Sequence, residues 1–470
     1  MTREFPFDGR LLFPADLGWD DARVGRVFNG RRPDRQPDAV LIAASVADVQ
    51  RGVLLARERG WTIAVRSGGH SWAAWSVRDG GLLIDLAALR SIEYDPATEI
   101  VSAGPAVRGG DELSPFLEAR GRFFNGGHCP SVGIGGFLLQ GGQGWNQRGW
   151  GWAAESVVAV DVVTAEGELV TADAETNSDL YWAARGAGPT FPGVVVRFHI
   201  RTRPAFGFLG HTVQAYELDD FAEILTWLYE THHRVSTDVE IVLISTPAEL
   251  PSGEVKRVLL VTAVAFTRDR ADADAALAPF RECPALGRAI FEQDCAESTL
   301  DEQRAQQTLQ NPEHAQYITD NAWIDGENTP EGIAAMVEGI RPLFTENPTT
   351  SGFAIWMSNA PMRRLPDMAF SLQTEAYVAA YTVYSDPADY GRNRDWIDRV
   401  FARAQTVTAG QYLGDSDMTN RQLRFMSTEN WERLRAVMEV RDPEGRFHRH
   451  LARNPAQLNA NHWEYEEVTS

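Results

Sequence analysis

Glycine is concentrated in one stretch of the chain, NGGHCPSVGIGGFLLQGGQGWNQRGWGW at residues 125–152. Ten glycines stand between Gly126 and Gly151, where an average usage of about 7% would give about two. Glycine loses more backbone entropy on folding than any other residue, so a regular helix or strand is disfavoured here. The density instead predicts a loop whose backbone approaches a ligand closely. A tight-turn loop without a ligand is the alternative.

A second glycine turn occurs earlier, in VRSGGHSWAAWS at residues 65–76, where two glycines precede His70 at the end of an apolar run. Neither stretch is a strand–helix dinucleotide fingerprint, because Leu138 stands where that motif requires its third glycine and no helical pattern begins there. We interpret the two stretches as a nest of backbone N–H groups able to hold a pyrophosphate. Arg66 and Ser71 are predicted as further donors.

Acidic residues outnumber basic ones, with 65 Asp and Glu against 44 Lys and Arg and a formal net charge of −21. No basic run appears, so nucleic acid and anionic membranes are predicted to be poor partners. The chain lacks an apolar run of the ~18 residues that a membrane span needs, and its N-terminus lacks the pattern of a secretory signal. The three cysteines, Cys129, Cys283 and Cys295, favour neither a disulfide framework nor a metal site. A cytoplasmic location is the default expectation.

Local patterns predict the order of strands and helices. The pattern of residues 38–86 predicts a β-α-β unit, in which Ser45 caps the helix at its start and Gly60 ends it. Residues 155–172 are predicted to form a hairpin. The other predicted strands are 194–202, 258–266, 352–359 and 376–384, and the other predicted helices are 270–282, 331–344 and 429–440.

Three motifs in the first half of the chain occur in a characteristic order: RSGGHS after an apolar strand, a strand ending in IDL, and HCPSVGIGGF. Together they resemble the flavin-binding domain of the berberine bridge enzyme-like oxidases. These oxidases belong to the superfamily of vanillyl-alcohol oxidase and p-cresol methylhydroxylase (PCMH). The resemblance extends from about residue 37 to GPTFPGVVVRFHIRTRP and resumes at QYLGDSD and RDPEGRF near the C-terminus.

The resemblance implies an α+β protein with the two-domain FAD-binding fold of the PCMH type. In that fold an inserted substrate domain, an antiparallel sheet covered by helices, separates two segments that together form the FAD-binding domain. The expected boundaries are 1–206 for the first FAD-binding segment, 207–410 for the substrate-binding domain and 411–470 for the C-terminal segment that returns to the FAD-binding domain.

The resemblance also implies that FAD is attached covalently at two positions. His70 matches the histidine joined to the flavin 8α-methyl group, and Cys129 matches the cysteine joined to C6. Both flavin positions are electrophilic, and a neutral imidazole nitrogen and a thiolate are nucleophiles able to attack them. The other residues that match cofactor-binding positions are Arg66, Ser67, Gly68, Gly69, Ser71, Val132, Gly133, Gly135, Gly136, Gly142, Gly149, Val194 and Val195. The region from Pro189 to Pro192 departs from the family pattern.

Both customary catalytic bases of the family are replaced in this chain. Plant members often carry a glutamate on the strand that matches AYVAAYTVY, where Val378 and Ala379 stand. The C-terminal motif Y-x-N-Y-x-D has Tyr412 and Asp417 in place, but Asp415 replaces its second tyrosine. Tyr412 and Asp415 are therefore the candidate bases, and a solvated turn acid is the alternative for Asp415. The candidate aromatic residues of a pocket wall, with core packing as the alternative, are Trp72, Trp145, Trp356, Tyr377 and Tyr381.

The predicted function is an FAD-dependent oxidase that transfers hydride from a C–H bond of an alcohol or amine to flavin N5. Its electrons are expected to pass to O₂ and give H₂O₂, because Val132 matches the position facing the ring where oxygen approaches, and a valine there is typical of oxidases. The alternatives are a flavin dehydrogenase with another acceptor, a flavoprotein without turnover and a noncovalent NADPH-dependent reductase of the same superfamily. Sugars, alkaloids, phenolics and polyketide alcohols are all open as small-molecule substrates.

Overall fold

The computed structural model describes residues 6–250, 253–416 and 421–449, and its first layer is a four-stranded sheet. The strands are β1 (Arg10–Leu12), β2 (Ala39–Ile42), β3 (Ile63–Arg66) and β4 (Leu82–Asp85). Their order is β1-β2-β4-β3, and β4 is parallel to both of its neighbours. The helix α1 (Val46–Arg59) begins at Ser45, whose side chain accepts from the Asp48 N–H, and ends at Gly60 with φ +65°. The predicted β-α-β unit and its caps are confirmed.

The second layer is a five-stranded antiparallel sheet of order β5-β6-β10-β8-β9, beside a short pair of β7 with β11. The strands are β5 (Ile92–Asp95), β6 (Ile100–Ala103), β7 (Arg122–Phe123), β8 (Val157–Val163), β9 (Leu169–Asp173), β10 (Val194–Arg201) and β11 (Arg203–Pro204). The strands β8 and β9 form the hairpin that was predicted for residues 155–172. The C-terminal helix 428–441 packs on this layer, because Trp431 and Leu434 share one buried cluster with Val160.

The largest sheet has eight antiparallel strands in the order β15-β12-β14-β13-β17-β18-β16-β19. They are β12 (Phe208–Tyr216), β13 (Val239–Glu249), β14 (Val255–Thr267), β15 (Phe291–Ser298), β16 (Gln316–Ile324), β17 (Phe353–Ser358), β18 (Ala376–Tyr384) and β19 (Thr408–Gly410). Side chains alternate across each strand, so Val378 of β18 packs into the cluster on the helix side, while Tyr377 and Tyr381 pack into the cluster on the other side. Both faces of the sheet are therefore buried at β18.

Helices cover one face of the eight-stranded sheet and connect the smaller layers. After α1 they are α2 (Ser114–Glu118), α3 (Ile134–Leu139), α4 (Gln147–Trp150), α5 (Ser178–Ala183), α6 (Phe221–Thr231), α7 (Arg270–Leu277), α8 (Leu300–Gln310), α9 (Pro330–Thr345), α10 (Tyr390–Ala404) and α11 (Thr428–Arg441). Residues of α6, α7, α9 and α10 form the largest buried cluster together with the sheet. The predicted domain boundaries stay a prediction.

The expectation that the glycine-rich stretch contains no regular helix is wrong. Two short helices, α3 and α4, form inside it. The reason lies in close packing: a Cβ on Gly135 would come within 2.8 Å of both Pro105 Cβ and Ser67 Oγ. Only glycine lets α3 approach these neighbours, and the tertiary contact offsets the entropic cost of the residue.

Candidate active site

A cavity of about 1080 Å³ lies between the two glycine turns and the face of the eight-stranded sheet that is not covered by helices. The turn after β3 contributes Gly68 and His70, and the turn before α3 contributes Cys129 and Val132. The C-terminal segment contributes Tyr412, Gly414 and Asp415. Three parts of the chain that carry sequence-predicted site residues therefore meet at one cavity.

The two glycine turns pack directly on each other with no room for side chains. A Cβ on Gly68 would lie 2.6 Å from Gly133 N, and a Cβ on Gly69, whose φ is +81°, would lie 1.9 Å from Arg26 O. Gly136 in the same lining faces open space, because a Cβ there would meet no protein atom within 4 Å. A bare backbone surface of this kind suits a pyrophosphate, so the residues present fit the predicted FAD.

Arg66 holds the first turn in place from beneath. It is 2% exposed, its Nε and Nη2 donate to Asp85 Oδ2 at 3.0 and 2.6 Å, and its Nη1 donates to Arg23 O at 2.6 Å. Arg26 contacts the other Asp85 oxygen and donates to Ser67 O at 2.6 Å. These bonds commit most of the guanidinium hydrogens of Arg66 to the protein, and its contact with a pyrophosphate stays a prediction, although the residue belongs to the cavity lining.

His70 and Cys129 share one hydrogen-bonding partner, Ser131. The Ser131 Oγ lies 3.0 Å from His70 Nε2 and 3.6 Å from Cys129 Sγ. The His70 ring stacks on Phe28 with 4.3 Å between the ring centroids. Burial lowers the pKa of His70 to about 3, so its ring is neutral at ordinary pH, and burial raises the pKa of the Cys129 thiol. Sequence reasoning missed Ser131, although it stands two residues after the cysteine.

Asp415 is held by donors from both halves of the cavity. Tyr377 Oη donates to its Oδ2 at 2.7 Å, and Trp72 Nε1 donates to its Oδ1 at 3.3 Å. The pKa values of the Tyr377 and Tyr381 phenols are raised, mainly by burial and secondly by the negative charge of the Asp415 carboxylate. Asp415 lies in a turn and is half-buried, and its role as a base stays a prediction.

Tyr412 is 4% exposed, and its Oη accepts from the Gln143 N–H at 3.1 Å. Burial is the main cause that raises the pKa of its phenol, so Tyr412 stays protonated. Its main chain is held as well, because its N–H donates to Asn321 Oδ1 at 2.7 Å. Asp417 of the same motif lies outside the described residues.

A partly buried pair of His128 and Glu240 also borders the cavity, and sequence reasoning missed it. His128 Nε2 lies 2.9 Å from Glu240 Oε1, and Glu240 Oε2 accepts from the Asn146 N–H at 2.8 Å. Burial alone lowers the pKa of His128, but the Glu240 carboxylate and its hydrogen bond outweigh burial and raise it. The His128 ring also packs on Trp145 with centroids 4.3 Å apart. Nothing in the sequence pairs the residue before Cys129 with a strand more than a hundred residues later.

Solved structures of known oxidases share this architecture. The 6-hydroxy-D-nicotine oxidase from Arthrobacter nicotinovorans aligns with a TM-score of 0.82 and 22% identity, covering 97% of this chain and 100% of that one. A berberine bridge enzyme variant in complex with (S)-reticuline aligns with a TM-score of 0.78 and 19% identity, covering 94% and 95%. These likenesses confirm the predicted two-domain fold of the PCMH type.

Sequence comparison gives the family. A family model described as an FAD binding domain matches residues 37–173. The FAD-linked oxidoreductase janO of Penicillium janthinellum is 34% identical over 431 residues, which are 91% of this chain and 94% of the relative. The chain belongs to the FAD-linked oxidoreductases. The predictions of FAD as cofactor and of an oxidoreductase are thereby confirmed. Among the described residues, no helix of this FAD-linked oxidoreductase has the length and apolarity needed to cross a membrane.

The cavity of this FAD-linked oxidoreductase includes most of the residues predicted to bind the cofactor. Its lining contains Arg66, Ser67, Gly68, Gly69, His70, Ser71, Cys129, Val132, Gly133, Gly135, Gly136 and Val195. Three predicted residues, Gly142, Gly149 and Val194, do not line it. A Cβ on Gly142 would contact Ala153, a Cβ on Gly149 would contact Thr237 O, and Val194 is fully buried in the cluster beneath the first sheet.

The aromatic candidates divide between the cavity and the core. Trp72, Trp145 and Tyr381 line the cavity, and Tyr377 contacts it through Asp415. Trp356 is fully buried on the opposite, helix-covered face of the sheet, where it packs against Tyr229. The interpretation of Trp356 as a pocket residue is therefore wrong, because alternation along β17 directs its side chain to the helices.

Proposed function

We propose that this FAD-linked oxidoreductase carries its flavin attached at both His70 and Cys129. The observation that carries the proposal is Ser131, whose single hydroxyl lies within hydrogen-bonding reach of both nucleophiles. His70 is neutral and keeps a lone pair for attack. Each attachment would replace one flavin C–H bond by a bond to His70 nitrogen or Cys129 sulfur, with two protons released and two electrons passing to O₂. Cys129 would first lose its proton, because the thiolate is the reactive form, and Ser131 is a polar group in contact with its sulfur.

Acid precipitation tests this attachment. The purified protein is expected to keep its flavin in the acid pellet, and Cys129→Ala is expected to keep it through His70 alone with a changed visible spectrum. The Cys129 and His70 double alanine variant should release all of its flavin into the supernatant. Cys283→Ala removes a buried thiol remote from the cavity and serves as the control. Complete release of flavin from the wild-type pellet would refute the proposal.

We infer that the reaction is the oxidation of an alcohol or amine, with O₂ as acceptor and H₂O₂ as product. When bound, the flavin supplies the hydride acceptor at N5. Asp415 accepts the substrate proton, since its carboxylate borders the cavity and is oriented by Tyr377 and Trp72. Tyr412 is a positioning residue, because its oxygen already accepts the N–H of Gln143 and its phenol stays protonated.

The chemistry of the cavity wall favours a substrate with an apolar body. The inner wall is presented by strands of the large sheet and includes the aliphatic residues Val213, Val242, Ile244, Leu260, Val264, Ile355 and Val383. The polar residues on the same strands that line the cavity are His211, Glu240, Thr246, Thr262 and Gln293. The polar side chains of α8 that line the cavity include the exposed Gln306, so this helix forms part of the mouth. Burying apolar surface stabilises a complex by about 25 cal/mol per Å². Alkaloids, phenolics and polyketide alcohols therefore fit this wall better than oligosaccharides.

A further inference from the structure

A cluster of three potential metal ligands lies on the opposite face of the large sheet from the cavity. It consists of His232 and His233, which follow α6, and Glu375, which precedes β18. His233 Nε2 lies 3.2 Å from Glu375 Oε2, and His232 Nε2 lies 3.9 Å from the same oxygen. The ligand atoms of all three residues lie within 4.8 Å of one another.

These separations are close to those around a bound zinc ion. Ligand atoms about 2.0–2.1 Å from Zn²⁺ in a tetrahedral arrangement are about 3.3 Å apart. The His233–Glu375 distance already matches, and the other separations close through small rotations of His233 and Glu375, whose side chains are 35% and 40% exposed. Solvent access to these two residues gives an ion a route to the cluster.

The buried member of the cluster is oriented as a metal-ligating histidine is. The His232 side chain is 1% exposed, and its Nδ1 lies 3.0 Å from Ser358 Oγ. Ser358 Oγ also accepts from the Ala360 N–H at 3.3 Å. In the tautomer whose Nδ1–H donates to Ser358, the lone pair of Nε2 is free to ligate a cation on the side of the Glu375 carboxylate. Ligating histidines usually donate their second ring N–H to such a partner.

The charges around the cluster act in opposite directions. Arg148 donates to the His232 carbonyl oxygen at 2.8 Å, so its positive charge disfavours a cation nearby. The same guanidinium donates to Ala360 O at 2.6 Å. Its hydrogen bond to His232 is made to the main-chain carbonyl oxygen and not to the ring nitrogens. The Glu375 carboxylate supplies the negative charge that offsets it on the ligand side.

We propose that His232, His233 and Glu375 form a binding site for a divalent transition-metal ion of the zinc type, with water completing the coordination. Two imidazole nitrogens and one carboxylate suit Zn²⁺. An ion bound there joins the end of α6 to the start of β18, the strand that carries Tyr377 and Tyr381. The site is separate from the flavin cavity, because Trp356 of the buried helix-side core lies beside His232.

Isothermal titration of the chelator-treated flavoprotein with zinc chloride tests the proposal. The wild type is expected to bind one Zn²⁺, and the bound ion is expected to raise the Tm of thermal unfolding. The variants His233→Asn and Glu375→Gln, both at accessible positions, are expected to bind zinc at least tenfold more weakly. His314→Asn removes another exposed histidine beside a carboxylate, Glu313, and should bind as the wild type does. The absence of zinc binding to the wild type would overturn the proposal, as would wild-type affinity in both cluster variants. Flavin content is measured alongside, so a folding defect is recognised separately.

Discussion

At the scale of single residues, three hydrogen-bonded sets of polar groups border the parts of the cavity that carry the proposed chemistry. Ser131 lies between the two candidate tethers, Asp415 accepts from Tyr377 and Trp72, and His128 pairs with Glu240. Each set joins residues distant in the sequence. Sequence alone indicated His70, Cys129 and Asp415, because the motifs around them are local. It could not indicate Glu240 or Tyr377 as partners, because their proximity exists only in the folded chain.

Replacing Asp415 by asparagine should slow reduction of the flavin by substrate. The amide cannot accept the proton that the carboxylate accepts, and loss of a general base typically lowers a rate by ~10²-fold or more. The measurement is the anaerobic rate of flavin bleaching in a stopped-flow instrument. Tyr412→Phe is the control. It should slow flavin bleaching far less than Asp415→Asn does, with unchanged flavin content. If the flavin of Asp415→Asn is reduced by substrate at the wild-type rate, Asp415 is excluded as the base.

Replacing Glu240 by glutamine should change how stability depends on pH. The folded protein raises the pKa of His128 above its ordinary 6.5, so the ion pair stabilises the fold fully below about pH 6.5. This contribution is lost as the pH rises through the raised pKa. Thermal unfolding should therefore show a larger decrease in Tm for Glu240→Gln at pH 6 than at pH 9. The exposed Glu313→Gln should show no such difference, and equal decreases at both pH values in Glu240→Gln would contradict an ionised pair.

At the scale of elements, the helix α1 and the strand β18 were predictable from the sequence, whereas the helices α3 and α8 were not. Ser45 and Gly60 mark α1, and β18 is a nearly continuous apolar run typical of a buried strand. The helix α3 was missed because its two glycines are disfavoured in an isolated helix, and close contact with Pro105 becomes visible only in the structure. The helix α8 was missed because its glutamine-rich sequence has few apolar residues to mark a buried face.

Alanine substitutions at two glycines should separate folding from cofactor binding. Gly133→Ala places a methyl group against the backbone of Gly68 and should destabilise the protein by about 1–3 kcal/mol. Gly136→Ala meets open cavity space, so the flavin-free protein should keep its Tm while flavin incorporation falls. Gly287, which also faces open space but lies away from the cavity, is the control. Full flavin content in Gly136→Ala would show that the cofactor does not approach this turn.

At the scale of the whole molecule, hydrogen bonds between distant parts of the chain hold the walls of the cavity together. Glu240 of β13 accepts from Asn146, and Asn29 near the N-terminus donates to Tyr317 O at 3.0 Å. The family resemblance predicted this two-domain arrangement, because the motifs of both FAD-binding segments occur in the expected order. The apolar chemistry of the substrate wall was not predictable, since it depends on which face of each strand is turned to the cavity. The cytoplasmic location stays a prediction.

The most direct test of the account is a double-mixing experiment that follows the flavin through both half-reactions. The enzyme is first reduced anaerobically with a panel of apolar alcohols and amines, with an oligosaccharide for comparison, and the reduced enzyme is then mixed with air-saturated buffer. We predict bleaching by an apolar compound, fast reoxidation with release of H₂O₂, and slower reoxidation but nearly unchanged reduction in Val132→Leu, because the added methylene narrows the approach of O₂. Slow reoxidation of the wild type by air, with fast turnover on an artificial dye, would contradict the oxidase assignment and identify a dehydrogenase.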